Sequence, residues 1–265
     1  FTVATGKMIR YTTPCCLLGY CSWNIILGKA ADQQELFMRP KNIEEYILYE
    51  DKEIIVCRKP AGMPVQTSGI GTMDMESALR NYRAFKEPGK IPYIGVVHRL
   101  DQPVEGIIVF AKTSQAAGKL SRQMGAKGAS KIYLAVTEHK PETPEGILAD
   151  YLKKNGKANM SQVVAEGTPG AKKARLSYKL IKENKGKSHY LIEIHLETGR
   201  HHQIRVQMEK HGMPLLGDRK YNPQGSRCAS LGLCAYILEF DHPVSGKRMK
   251  FRADPKGQAF EGFEM

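Results

Sequence analysis

Two short runs concentrate the side chains that could do chemistry: His98-Arg99-Leu100-Asp101 and Glu197-Thr198-Gly199-Arg200-His201-His202-Gln203-Ile204-Arg205. Each interrupts apolar sequence with charged and polar groups, and a polar loop between apolar strands is where a scaffold presents reactive groups. The carboxylate of Asp101 is a legitimate covalent nucleophile. With Glu105 it could also make the carboxylate pair of a glycoside hydrolase, which needs two carboxyls spaced across a sugar. Taken singly, an Asp beside an Arg in a loop is usually a solvated ion pair or a turn residue. His201, His202 and His211 do not have metal-ligand spacing, and no matching Cys or carboxylate set accompanies them, so no metal is expected.

These runs need a frame. Tyr46 to Arg58 is strand-rich around Ile54, Ile55 and Val56, and Lys59-Pro60-Ala61-Gly62-Met63-Pro64 breaks it as a loop. A helix capped by Asp74 is expected to carry Met75, Leu79 and Tyr82 on one face. Gly106 to Ala111 reads as a buried strand. Ser114 is expected to cap a helix with Ala117, Leu120 and Met124 inward. Ser130 to Thr137 alternates as a strand. Weak strands are expected near Ile147–Leu152 and Ser161–Val164, and a strand pair at Ala174–Ile181 and Tyr190–Leu196. A helix is expected from Thr198 to about His211, stopped by Gly212. Leu231–Phe240 and Lys247–Phe251 read as a closing hairpin. Strands and helices mix without regular βαβ alternation, which predicts an α+β fold on a largely antiparallel sheet.

The chain has 265 residues, with 40 Lys plus Arg against 27 Asp plus Glu and a net charge of +13. That excess points to a polyanionic partner. No stretch reaches the roughly 20 apolar residues that span a bilayer. Six cysteines occur without a CxxC pair, and Cys57 and Cys234 sit in apolar runs as expected buried thiols, which suits a reducing compartment. Residues 1–37 lack clear periodicity and are expected to be a non-native or disordered extension. Residues 38–265 are expected to form one domain.

In order, "VVHRLDQPVEGIIVFAKT", "SKIYLAVTE", "ETGRHHQIRVQMEKHGMPLLGDRKY" and "LCAYILEFDHPVSGK" closely resemble the RluA family of RNA pseudouridine synthases. The resemblance runs from about Leu48 to Pro255. It implies the family's catalytic domain, a mixed, largely antiparallel sheet flanked by helices. It also implies an isomerase that detaches the base of a uridine, turns it and rejoins it through carbon, with no cofactor.

By resemblance, Asp101 is the nucleophile, Tyr133 the active-site tyrosine and Arg205 the active-site basic residue, expected to pair with Asp101 through a two-pronged, charge-assisted contact. Arg99 would fill the gap left by a flipped base. Substrate and RNA contacts are expected from Arg99, His98, Ile204, Arg200, His202 and Gln203. Of these, His98 is read first as packing or holding its loop by a hydrogen bond, and Arg200 suits a phosphate contact or a structural role. The partner implied is ribosomal or transfer RNA, met by a cytoplasmic monomer away from membranes. Two departures stand out. Val104-Glu105 replaces the family's common Thr-Ser pair before Gly106, and His201 replaces a small hydroxyl residue. A catalytically silent RNA-binding protein of the same fold is the reading from another class.

Overall fold

The computed structural model describes residues 43–264, apart from residues 68, 70, 71, 126 and 127. The expected extension over residues 1–37 and the start at Met38 lie outside the described residues. Eleven strands form one sheet: β1 (Ile47–Glu50), β2 (Ile54–Lys59), β3 (Gly95–Val96), β4 (Glu105–Ala111), β5 (Ser130–Thr137), β6 (Glu145–Asn155), β7 (Met160–Val164), β8 (Lys172–Asn184), β9 (His189–Leu196), β10 (Leu233–Asp241) and β11 (Arg248–Arg252). Among the described residues three α-helices accompany them: α1 (Met75–Lys86), α2 (Ser114–Gly125) and α3 (Gln203–Lys210). The main path runs β1-β2-β4-β10-β5-β9-β8-β6-β7, with β3 on β4 and β11 on β10. Every pairing is antiparallel except β4 with β10. The α+β reading on a mixed, largely antiparallel sheet holds.

The unbroken apolar runs of β2 and β4 follow from being covered on both faces. Ile55, Cys57, Ile108 and Phe110 join the core that holds Met75, Leu79 and Tyr82 of α1. The alternate residues Ile54, Val56, Ile107 and Val109 meet Ala116, Leu120 and Met124 of α2. Successive strand side chains point to opposite faces, so α1 and α2 lie on opposite sides of the sheet. Asp74 caps α1 as expected, accepting from Ser77 N. For α2 the capping oxygen is Thr113 Oγ1, which accepts from Ala116 N, rather than Ser114.

Two elements differ from the sequence reading. The Tyr46–Arg58 stretch is a hairpin, because Asp51 accepts hydrogen bonds from Glu53 N and Ile54 N and turns the chain. The last helix starts at Gln203 rather than Thr198, since His202 adopts the left-handed conformation (φ 52°) and breaks any helix through it. Thr198 to His202 is therefore a loop, pinned where Thr198 Oγ1 donates to Gln203 Oε1 and Arg200 N donates to the same oxygen.

Candidate active site

Asp101 sits in the loop between β3 and β4. Leu100 and Val104 are buried on either side of it, and Val104 N donates to Asp101 O across a tight turn. A fully buried lysine fixes the loop from below. Lys59 Nζ donates to Gln102 O (3.0 Å), Met63 O (2.8 Å) and Pro60 O (2.9 Å). Gly62 N also donates to Gln102 O. The loop after β2 and the loop bearing Asp101 are thus one unit. Burial pulls Lys59 down to about 7, against the charges of Asp101 and Glu105. Sequence reading passed over Lys59 as the start of a turn; a lysine followed by Pro-Ala-Gly after a buried strand was the available signal.

Arg205 enters from the first turn of α3. Its Nη1 donates to Asp101 Oδ2 at 3.3 Å. Its two-pronged edge goes elsewhere: Nε and Nη2 donate to Asp218 Oδ2 and Oδ1 at 2.8 and 2.6 Å. The expected bidentate contact is therefore made with Asp218, and Asp101 receives one prong. Burial works against the guanidinium's charge, but Asp218 and then Asp101 outweigh it and raise its pKa. Asp218 was visible in the sequence only as the "GD" before Tyr221. It is 1% exposed, and its Oδ1 also accepts from Lys220 N and Tyr221 N.

Tyr133 lies on β5 with its ring buried; burial, then the charge of Asp101, raises its hydroxyl's pKa and keeps it protonated. Asp101, Tyr133 and Arg205 line one cavity of about 1060 Å³, together with Arg99, Leu100, His202 and Ile204. A tyrosine ring and buried aliphatic side chains beside a charge-paired carboxylate suit a flipped pyrimidine, since stacking on an aromatic is worth about 1–3 kcal/mol. Arg99 is exposed at the rim.

Other expected contacts have partners inside the protein. His98 Nε2 accepts from Val109 N, and burial, with Lys131 nearby, pulls its pKa down to about 3. That is the loop-holding alternative. Gln203 is buried, with Oε1 held by Thr198 and Arg200 and Nε2 donating to Arg175 O. Arg200 Nε donates to Lys173 O. His201 and His202 precede α3 instead of sharing its face with Arg205, yet the loop still delivers His202 Nε2 to 3.7 Å from Asp101 Oδ2. Glu105 turns from the cavity to accept from Lys256 N and Gly257 N, 3.7 Å from Arg58. The acid that replaces the family's hydroxyl residue thus anchors the C-terminal segment, which removes the paired-carboxylate reading. Among the described residues no cluster of three or more His, Cys, Asp or Glu could hold a metal, and no helix is long and apolar enough to cross a membrane.

Comparison with known proteins gives the family and the fold. Residues 53–210 match the family model described as RNA pseudouridylate synthase. The chain is 34% identical over 229 residues to ribosomal large subunit pseudouridine synthase D of Pseudomonas aeruginosa, covering 80% of this chain and 69% of that one. It is 33% identical over 230 residues to the protein of the same name from Zymomonas mobilis, covering 81% and 70%. The solved structure of human RNA pseudouridylate synthase domain containing 4 shares the fold, with a TM-score of 0.69 at 21% identity over 84% of this chain and 93% of that one. The chain belongs to the RNA pseudouridylate synthase family, of the RluA type, and is an isomerase that converts uridine in RNA to pseudouridine.

Proposed function

We propose that the enzyme modifies ribosomal RNA and that Asp101 is its nucleophile, with Arg205 holding the carboxylate and Tyr133 presenting a flat, neutral face to the flipped base. The single observation behind this reading is the cavity in which Asp101 Oδ2 takes one prong of a buried guanidinium, 3.3 Å away, beside a buried tyrosine. A carboxylate in a site dry enough to hold a base needs such a cation to keep its charge. Attack by Asp101 on the bound uridine lets the N-glycosidic bond break. The base turns within the cavity, a carbon–carbon bond forms, the aspartate departs as carboxylate, and C5 gives up its proton as N1 gains one. Ribosomal RNA is favoured over transfer RNA by the names of the two bacterial relatives. A cytoplasmic setting fits Cys57 and Cys234, both buried and unpaired, with burial raising the pKa of each thiol.

Tritium release from RNA labelled at uracil C5 tests the reading. The native protein is expected to release tritium from large-subunit ribosomal RNA and not from transfer RNA. Asp101→Asn is expected to lose at least about a thousandfold in rate while keeping its fold and RNA affinity. No release from any RNA would favour the silent RNA-binding reading, and free uracil in the products would mean hydrolysis.

A further inference from the structure

We infer that His202 is a positioning residue, held as the Nε2-protonated neutral imidazole, and that with Arg205 it fixes one oxygen of Asp101 so that the other is the attacking atom. This rests on Asp101 being the nucleophile.

The tautomer follows from counting protons. Ser161 N–H, a fixed donor, points at Tyr221 Oη at 2.7 Å. The phenol oxygen also lies 3.0 Å from His202 Nδ1. Tyr221 has one proton to give, and among the described residues no other acceptor meets it. Donating it to His202 satisfies both groups, whereas a proton on Nδ1 would leave a half-buried phenol O–H without a partner. Nδ1 is therefore bare, and the single ring proton of neutral His202 sits on Nε2. That nitrogen faces Asp101 Oδ2 at 3.7 Å.

The ring is held for this placement. His202 is a non-glycine residue in the left-handed region, with φ 52° and ψ 27°, a conformation that carries strain and is retained where surrounding contacts enforce it. His201 stacks on it, with centroids 3.8 Å apart and planes within 20°. His201 is itself held by Ser161 Oγ at 2.9 Å and by the Asn159 amide at 3.1 Å. Tyr221 stands edge-on to His202 and also lies under the Arg205 guanidinium.

Both groups aimed at the nucleophile converge on the same atom. Arg205 Nη1 reaches Oδ2 at 3.3 Å, His202 Nε2 at 3.7 Å, and no described donor meets Oδ1. At 3.7 Å the histidine contact is longer than a hydrogen bond in the free protein, and the positioning role requires it to shorten when uridine binds, as catalytic contacts commonly do. Arg205 supplies the cation; a neutral N–H beside it orients the carboxylate without a second positive charge that would blunt its nucleophilicity. Burial, opposed by Asp101, pulls His202 down to about 4, consistent with a neutral ring.

Nitrogen-15 NMR of the histidine rings reads the tautomer directly, with His202 identified by its loss in His202→Gln. The expected spectrum near neutral pH shows Nε2 protonated and Nδ1 bare. Tyr221→Phe keeps the ring under Arg205 but removes the phenol proton. It should give a mixture of tautomers and slow single-turnover tritium release at saturating RNA about tenfold or more, without weakening RNA binding. His202→Gln, whose amide nitrogen falls near the position of Nε2, should retain more of that rate than His202→Leu. An Nδ1-protonated ring in the native protein overturns the inference. So does a tautomer mixture in Tyr221→Phe with an unchanged rate, a drop in its melting temperature alone, or equal losses in Gln and Leu variants. An active Asp101→Asn would instead sink the nucleophile reading and leave the tautomer result standing.

Discussion

Asp218 and Arg205 are both nearly inaccessible, at 1% and 4% exposure, and each is the other's main partner. Breaking such a pair from one side leaves a buried charge without its main partner, which costs up to about 3–5 kcal/mol. Asp218→Leu should therefore lower unfolding free energy in denaturant titrations by roughly that amount. Arg205→Met combined with Asp218→Leu should recover much of the loss, because an apolar pair of similar volume carries no desolvation penalty. The double variant should still be inactive, since Asp101 then lacks its cation. If it is as unstable as Asp218→Leu alone, the pair holds the fold by something other than mutual neutralisation. At this scale the family resemblance singled out Asp101, Tyr133 and Arg205, and the three line one cavity. The sequence did not disclose which carboxylate takes the two-pronged edge of Arg205, because that depends on how the Asp218 loop folds back over α3.

The two halves of the sheet meet where β4 runs parallel to β10, a short contact pairing Glu105 with Cys234 and Gly106 with Ala235. Gly106 makes it possible. Its φ is +123°, and a Cβ there would lie 2.3 Å from Ala235 O. An alanine would meet both a disfavoured backbone and a backbone atom that cannot swing away. Gly106→Ala is expected to cost about 3 kcal/mol and lower the melting temperature by roughly 6–12 °C. Activity should fall with it, since Gly106 follows the loop bearing Asp101 by only a few residues. A melting temperature within 2 °C or so of native would show that the halves can part without cost. Elements with strong periodicity were legible: β5 spans Ser130–Thr137 as the alternation predicts, and α1 starts at its Asp74 cap. The β1–β2 turn and the late start of α3 were not, because one depends on an Asp side chain binding its own backbone and the other on a histidine in a conformation its residue type does not announce.

Over the whole molecule, the charge excess of +13 predicted a polyanionic partner, and the structure shows where part of it gathers. Arg99, Lys131, Lys154, Arg200, Arg219 and Lys220 line the cavity, where Asp101 is the lone carboxylate among the described lining residues. If about five phosphates are neutralised, the log–log slope of RNA affinity against salt should be near −3.5 to −4.5. The family was legible because its residues recur in order along the chain; the RNA target was not, because backbone contacts carry no sequence information. Arg99 separates steering from flipping. It is exposed at the rim, next to Leu100 and Asp101 in the same loop. Extruding a stacked uridine costs a few kcal/mol, least when the base is already unpaired. A side chain that fills the vacated space offsets that cost only in structured RNA. Arg99→Ala should therefore slow tritium release from a base-paired or stacked substrate at least about tenfold more than from a flexible single strand at the same salt. A phosphate contact would instead weaken binding of both and flatten the salt slope by about one. Measuring both substrates across a salt series decides between them, and equal losses with a flattened slope would rule out the gap-filling role.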